Sequence, residues 1–91
     1  MNLRQLEIFS CVMRRRTTVA AAKELFMSQS AVSNAIKHAE IQLGFKLFDR
    51  VSNRLVPTEE AKLLLEDAEP LFTHQRALNQ RAADLKAGRI G

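Results

Sequence analysis

Three residues, Phe26, Met27 and Ser28, separate two helical patterns in this chain. Before them, "VAAAKELF" is a short stretch whose alanines let a neighbouring helix approach closely. After them, "SQSAVSNAIKHAE" brings Val32, Ala35, Ile36, Ala39 and Leu43 onto one face, the i, i+3, i+4, i+7 stripe of a core-facing helix. Two short helices joined this tightly form a helix-turn-helix.

The opposite face of the second helix gives the motif its chemistry. It carries Gln29, Ser30, Ser33, Asn34 and Lys37, with no acid before Glu40. Solubility alone would be served by mixed Glu and Lys at i, i+4. In a helix-turn-helix this second helix enters the major groove, where Gln and Asn pair with adenine, Ser serves either role and Lys favours guanine or phosphate. An acid there would repel phosphate. Charge follows the same division: residues 1–56 hold nine basic groups against four acids, and residues 57–91 hold five against six. The positive field belongs to the first part of the chain and suits a polyanion.

Around this motif the expected fold is mainly α, a winged helix-turn-helix of three helices and a two-stranded wing followed by a long dimerisation helix. Leu6, Ile8, Phe9, Val12 and Met13 predict a first helix over about residues 2–14. Thr17 or Thr18 is the expected N-cap of the second helix, Ser28 caps the third, and Gly44 ends it. "KLF" and "RLV" flank a polar tip at Val51, Ser52 and Asn53 and predict a hairpin, ended by Pro57. Arg50 and Arg54 flank that tip, within reach of phosphates or a narrow minor groove. Residues 14–16 form a basic cluster beside Thr17 and Thr18, where cations and free amides can meet the DNA backbone.

From Thr58 to about residue 87 the pattern is helical again, with Glu59 and Glu60 in the first turn. Ala61, Leu64, Ala68, Leu71, Gln75, Leu78, Ala82 and Leu85 form a heptad seam. At 1.5 Å per residue this helix is roughly 45 Å long, more than a small domain covers, so part of the seam needs a partner. Pro70 lies inside it and predicts a bend or a break.

Other classes leave no mark. No run approaches the roughly 18 apolar residues of a membrane helix. The N-terminus lacks the order of a signal peptide. The single cysteine, Cys11, forms no internal disulfide and suits a reducing cytoplasm; it reads as a core residue. His38 and His74 lack ligand spacing, and no phosphate loop or catalytic constellation is visible, so no enzyme, cofactor or metal is expected.

The segments "MNLRQLEIFSCVM", "AAAKELFMSQSAVSNAIKHAE", "LGFKLFDR" and "PTEEA" resemble the N-terminal part of LysR-type bacterial transcriptional regulators along nearly the whole chain. The combination of "SQxAVS" with "LGxxLFxR" is highly specific. The resemblance implies a DNA-binding domain over residues 1–57, a dimerising linker helix over 58–87 and the start of a hinge at 88–91. An effector-sensing domain, the expected seat of a small-molecule ligand, would lie beyond it. The positions matching the DNA-contacting residues are Thr17, Thr18, Gln29, Ser30, Ser33, Asn34, Lys37, Arg50 and Arg54. Arg16 and Ser28 adjoin them and complete the expected interface. Leu64, Ala68, Leu71, Gln75, Leu78, Ala82 and Leu85 are the expected dimer contacts. Arg16 stands where the family often has glycine, Thr18 where an aromatic is common, Asn34 where arginine is frequent, Ala39 where leucine is usual and Ala61 where glycine is usual.

The expectation is therefore a cytoplasmic, nucleoid-associated homodimer, able to form tetramers in a longer protein, that binds double-stranded DNA on an interrupted inverted repeat. Non-specific nucleoid binding and a protein-interaction winged helix remain alternatives, separable by salt and sequence dependence.

Overall fold

The computed structural model describes residues 1–89. In chain order its elements are α1 (Leu3–Arg15), α2 (Thr18–Leu25), α3 (Gln29–Leu43), β1 (Phe48–Val51), β2 (Arg54–Pro57) and α4 (Glu59–Lys86). Each helix start is set by a polar side chain accepting from a free amide of the first turn. Asn2 caps α1 reciprocally with Gln5, Thr17 rather than Thr18 caps α2, and Ser28 and Thr58 cap α3 and α4.

The turns after α1, α2 and α3 are all left-handed: Arg16 has φ 65°, Phe26 φ 55° and Gly44 φ 84°. Only the last is a glycine, the residue that takes this conformation without steric cost. The glycine that the sequence resemblance leads one to expect at position 16 would suit this conformation. Arg16 holds the conformation with its N–H on the Val12 carbonyl, 2.8 Å, and its Nε on the Met13 carbonyl, 2.7 Å.

α1, α2 and α3 pack around one core. Phe9, Cys11, Val12, Ala21, Val32 and Leu47 are fully buried at its centre. Ala21 and Ala22, the two buried alanines of the three in the second helix, permit the close approach that the three-residue turn demands. Phe48 closes the core from the wing side, its ring tilted against Phe9 with centroids 6.0 Å apart, within the favourable range for aromatic pairs. Among the described residues no helix is long and apolar enough to cross a membrane.

The hairpin is one residue tighter than expected. Val51 pairs with Arg54 inside the sheet, so only Ser52 and Asn53 turn. Both have positive φ, 49° and 66°, the requirement of a two-residue turn whose twist matches that of the strands. Pro57 is the last residue of β2, opposite Phe48.

Three contacts moor the wing. The Leu55 N–H donates to the Arg16 carbonyl, 2.8 Å, adding the α1–α2 turn to the free edge of β2. Thr58 Oγ1 donates to the Lys46 carbonyl, 2.8 Å, while capping α4. The Glu40 carboxylate, reaching out from α3, accepts from the Leu47 and Phe48 amides at 2.7 and 3.3 Å.

α4 runs unbroken through Pro70, so no break occurs there. Pro70 is exposed, and the carbonyl that loses its helical donor, that of Glu66, is on an exposed residue that water can serve. The helix divides into two halves. Ala61 and Ala68 are 0% and 3% exposed, and Leu64 and Leu65 pack on the core or its edge. Ala68 is therefore covered by its own chain rather than free for a partner, a correction to the expected seam. From Leu71 onward the seam lies open: Leu71, Leu78 and Leu85 are about half exposed, and Gln75 and Ala82 are exposed. The reason is reach, since the other elements end beside the first half of a helix about 42 Å long.

Replacing Glu40 by alanine removes the acceptor for two wing amides. We expect a loss of about 1.5–3 kcal/mol of unfolding free energy, measured by urea denaturation, with Glu40→Gln intermediate. An unchanged midpoint for the alanine variant would show that the wing is held by other contacts.

Candidate nucleic-acid interface

α3 is amphipathic in the way its sequence predicts. Val32, Ile36 and Ala39 are buried and Ala35 and Leu43 half-buried, while Gln29, Ser30, Asn34 and Lys37 are exposed and Ser33 is half-buried. At the N-terminal end, Ser28 Oγ accepts from the Ala31 amide, 3.1 Å, and lies 3.2 Å from Ser30 Oγ. The side chains of Gln29, Ser33, Asn34 and Lys37 take part in no hydrogen bond or ion pair among the described residues.

Between α3 and the wing is a cleft of about 220 Å³ lined by Thr18, Ser33, Ile36, Lys37, Glu40, Lys46, Phe48, Arg50 and Leu55. Its rim carries three cations, Lys37, Lys46 and Arg50, and two hydroxyls, and its one acid is Glu40, whose carboxylate is bonded to backbone amides. This is a basic furrow of a kind that suits a phosphate backbone. Lys46 was not anticipated as a site residue. The period of two that carries Phe48 and Arg50 to one face of the hairpin was the available signal.

The same period separates the two wing arginines. Arg50 pairs with Leu55 and lies on the face that carries buried Phe48, whereas Arg54 pairs with Val51 on the outer face. Both are exposed, and they flank the tip from opposite sides. Thr17 and Thr18 are half-buried at the start of α2, with the Thr17 hydroxyl engaged by the Ala20 amide, 3.2 Å. Arg16 is half-buried, folded back on Met13.

The remaining arginines of the basic cluster turn elsewhere. Arg14 and Arg15 each meet Glu24 of α2 at 2.8 Å, and the Cys11 thiol donates to the same carboxylate, 3.1 Å. This cluster borders a second cleft, about 430 Å³, between α1, α2 and α4, remote in composition from the recognition residues. The hydrogen bonds from Arg14, Cys11 and Arg15 pull the Glu24 carboxyl down to about 2. Burial, reinforced by Glu24, pushes the Cys11 thiol up to about 11. Cys11 is thus a neutral, fully buried core group. Sequence reasoning missed Glu24, because an acid on α2 names no partner until α1 and α2 pack. Among the described residues no group of His, Cys, Asp and Glu is arranged to hold a metal ion.

Residues 3–62 match the family described as bacterial regulatory helix-turn-helix protein, lysR family. The chain is 41% identical over 91 residues to the HTH-type transcriptional regulator DgcR of a Pseudoalteromonas species, covering 100% of this chain and 31% of that protein. It therefore spans about a third of the length of that curated relative. Among solved structures, a BenM_DBD/catB site 1 DNA complex has a TM-score of 0.85 at 26% identity, over 99% of this chain and 97% of that one. A CbnR_DBD–DNA complex has a TM-score of 0.80 at 28% identity, over 94% of this chain and 99% of that one.

A carboxyl whose folded value is depressed stabilises above its unfolded value, and that contribution is lost as pH falls toward the folded one. Glu24→Gln is therefore expected to melt below the parent at pH 7, with the gap closing between pH 4.5 and about 2. A gap constant across that window, followed by circular dichroism, would dissociate Glu24 from the arginines. In the folded protein Cys11 should resist alkylation at pH 8, reacting at the rate of unfolding.

Proposed function

Because this chain belongs to the lysR family of bacterial regulatory helix-turn-helix proteins, we propose that it binds double-stranded DNA sequence-specifically as a homodimer. α3 enters the major groove and presents Gln29, Ser30, Ser33, Asn34 and Lys37 to base edges. Ser28, the start of α2 at Thr17 and Thr18, and Arg16 beside it set register on the phosphates. Arg50 and Lys46 follow the backbone along the furrow, and Arg54 reaches it from the outer face of the wing. Residues 1–57 act as the DNA-binding unit, α4 as the dimerisation element, and residues 88–91 as the start of a hinge, of which 90 and 91 lie outside the described residues.

The observation that carries this reading is the outward face of α3. The side chains of Gln29, Ser33, Asn34 and Lys37 have no partner among the described residues, Ser30 meets only Ser28, and the face borders a furrow edged by Lys37, Lys46 and Arg50. Both of the similar solved structures named above are DNA complexes. Paired α4 helices would cover the open Leu71, Leu78 and Leu85 and hold two copies of α3 about 34 Å apart, one turn of DNA, so that the site is an interrupted inverted repeat. Regulation of transcription in the cytoplasm, on the nucleoid, extends this reading to a longer protein, as do an effector bound by another domain and assembly into tetramers.

Three measurements test it. Fluorescence anisotropy on a selected duplex and its scrambled counterpart should give a large affinity ratio at physiological salt; equal affinities would leave only non-specific binding. Arg50→Ala and Lys46→Ala should weaken binding to both duplexes, each reducing the log K against log salt slope by about 0.9. Leu71→Glu combined with Leu78→Glu should convert the dimer to monomer in sedimentation, and a persistent dimer would remove α4 from the interface.

A further inference from the structure

We propose that Asn34 makes α3 an adenine reader, so that the base pair beneath it in each half-site is A·T. This rests on the DNA-binding reading above and adds to it the class of base recognised.

α3 leaves a small set of hydrogen-bonding groups free on its outward face. Of the three side-chain amides on α3, Gln42 accepts from Gln5, whereas Gln29, in the first turn, and Asn34, at mid-helix, have no partner among the described residues. Asn34 is exposed, and among the described residues its carbonyl accepts from nothing and its NH₂ donates to nothing. Its side chain has only two torsions and stands on a regular helix with the core at its back, so the amide is presented in a small set of orientations.

A side-chain amide offers an acceptor and a donor side by side. The major-groove edge of adenine offers the complement, N7 as acceptor beside the N6 amino donor. Guanine presents N7 and O6, both acceptors, so the Asn34 carbonyl oxygen would face a lone pair. Guanine calls for two donors on one side chain, as arginine provides, and α3 contains no arginine. The arginines nearest in sequence, Arg16 and Arg50, stand on the α1–α2 turn and the wing. Cytosine calls for an acceptor such as a carboxylate. The first acid along α3 is Glu40, and its carboxylate is held by the Leu47 and Phe48 amides. The single N4 donor of cytosine and the single O4 acceptor of thymine engage one half of the Asn34 amide, and guanine engages its NH₂ alone; adenine engages both halves at once and is therefore the base assigned to Asn34, while Lys37, one turn further along, is a single-point donor.

The test is selection of bound duplexes from a randomised pool with the 91-residue chain, Asn34→Ala and Asn34→Arg. The parent should return an inverted repeat with A·T at a defined position in each half. Asn34→Ala should lose the preference at that position alone, and Asn34→Arg should change it to G·C with the remaining positions intact. Affinity of Asn34→Arg for the parental site should fall roughly ten- to a hundredfold. Substituting 7-deazaadenine at the assigned position, which deletes the N7 acceptor and keeps the base pair, should weaken the parent about tenfold and leave Asn34→Ala unaffected. A motif unaltered by Asn34→Arg, a G·C pair at the position that Asn34→Ala relaxes, or indifference of the parent to 7-deazaadenine would overturn the adenine assignment with DNA binding intact. A pool that yields no motif with any of the three proteins would overturn the sequence-specific reading as well.

Discussion

The carboxylate of Glu40 stands at the junction on which the geometry of the interface depends. It leaves α3 on the side between the core stripe and the outward strip, and it accepts from the first amides of the wing at 2.7 and 3.3 Å. A charged acceptor shared by two backbone donors is among the stronger hydrogen-bond arrangements available to a folded chain. Because its other end is fixed to α3, these bonds couple the wing to the recognition helix. The furrow between them, with Lys37 on one wall and Arg50 on the other, keeps a defined width. The same bonds place an acid inside a basic furrow with its oxygen occupied, which limits its repulsion of a phosphate.

The left-handed turns at Arg16 and Phe26 are the local cost of compactness. A bulky residue at positive φ is held there at an expense of order 1–3 kcal/mol, offset where surrounding structure determines the conformation. At Arg16 the offset is visible: the backbone carbonyl joins the edge of β2, the N–H closes α1, and the guanidinium folds onto Met13. At Phe26 the turn is closed by the Met27 N–H on the Ala22 carbonyl, 3.0 Å, and the ring itself, 97% exposed, contributes nothing to the core. The tight turn fixes the crossing of α2 and α3, and through it the direction in which Asn34 and Lys37 project.

α4 carries two jobs on one helix. Its first half completes the core through Ala61 and meets the wing through Thr58; its second half leaves a leucine seam uncovered. Both halves repeat apolar residues at heptad spacing, so the pattern alone does not say where one job ends. On the seam the change falls between Ala68, buried, and Leu71, half exposed, while Phe72, Gln75 and Arg76 still border the cleft against α1 and α2.

The helices, the caps of α3 at Ser28 and Gly44 and the polar strip on α3 were legible from residue spacing, since a helical period and a capping hydroxyl are local properties that need no knowledge of neighbours. The family could be read from "SQSAVS" and "LGFKLFDR" for the same reason. Tertiary structure alone decided four things: Arg14 and Arg15 turn to Glu24, Arg50 and Arg54 take opposite faces of the wing, Lys46 joins the furrow, and Ala68 is covered by its own chain. Each depends on a contact or register between segments distant in sequence, and a long, flexible cation has the same chemistry in the sequence whether it meets a carboxylate across the core or stands free at the surface.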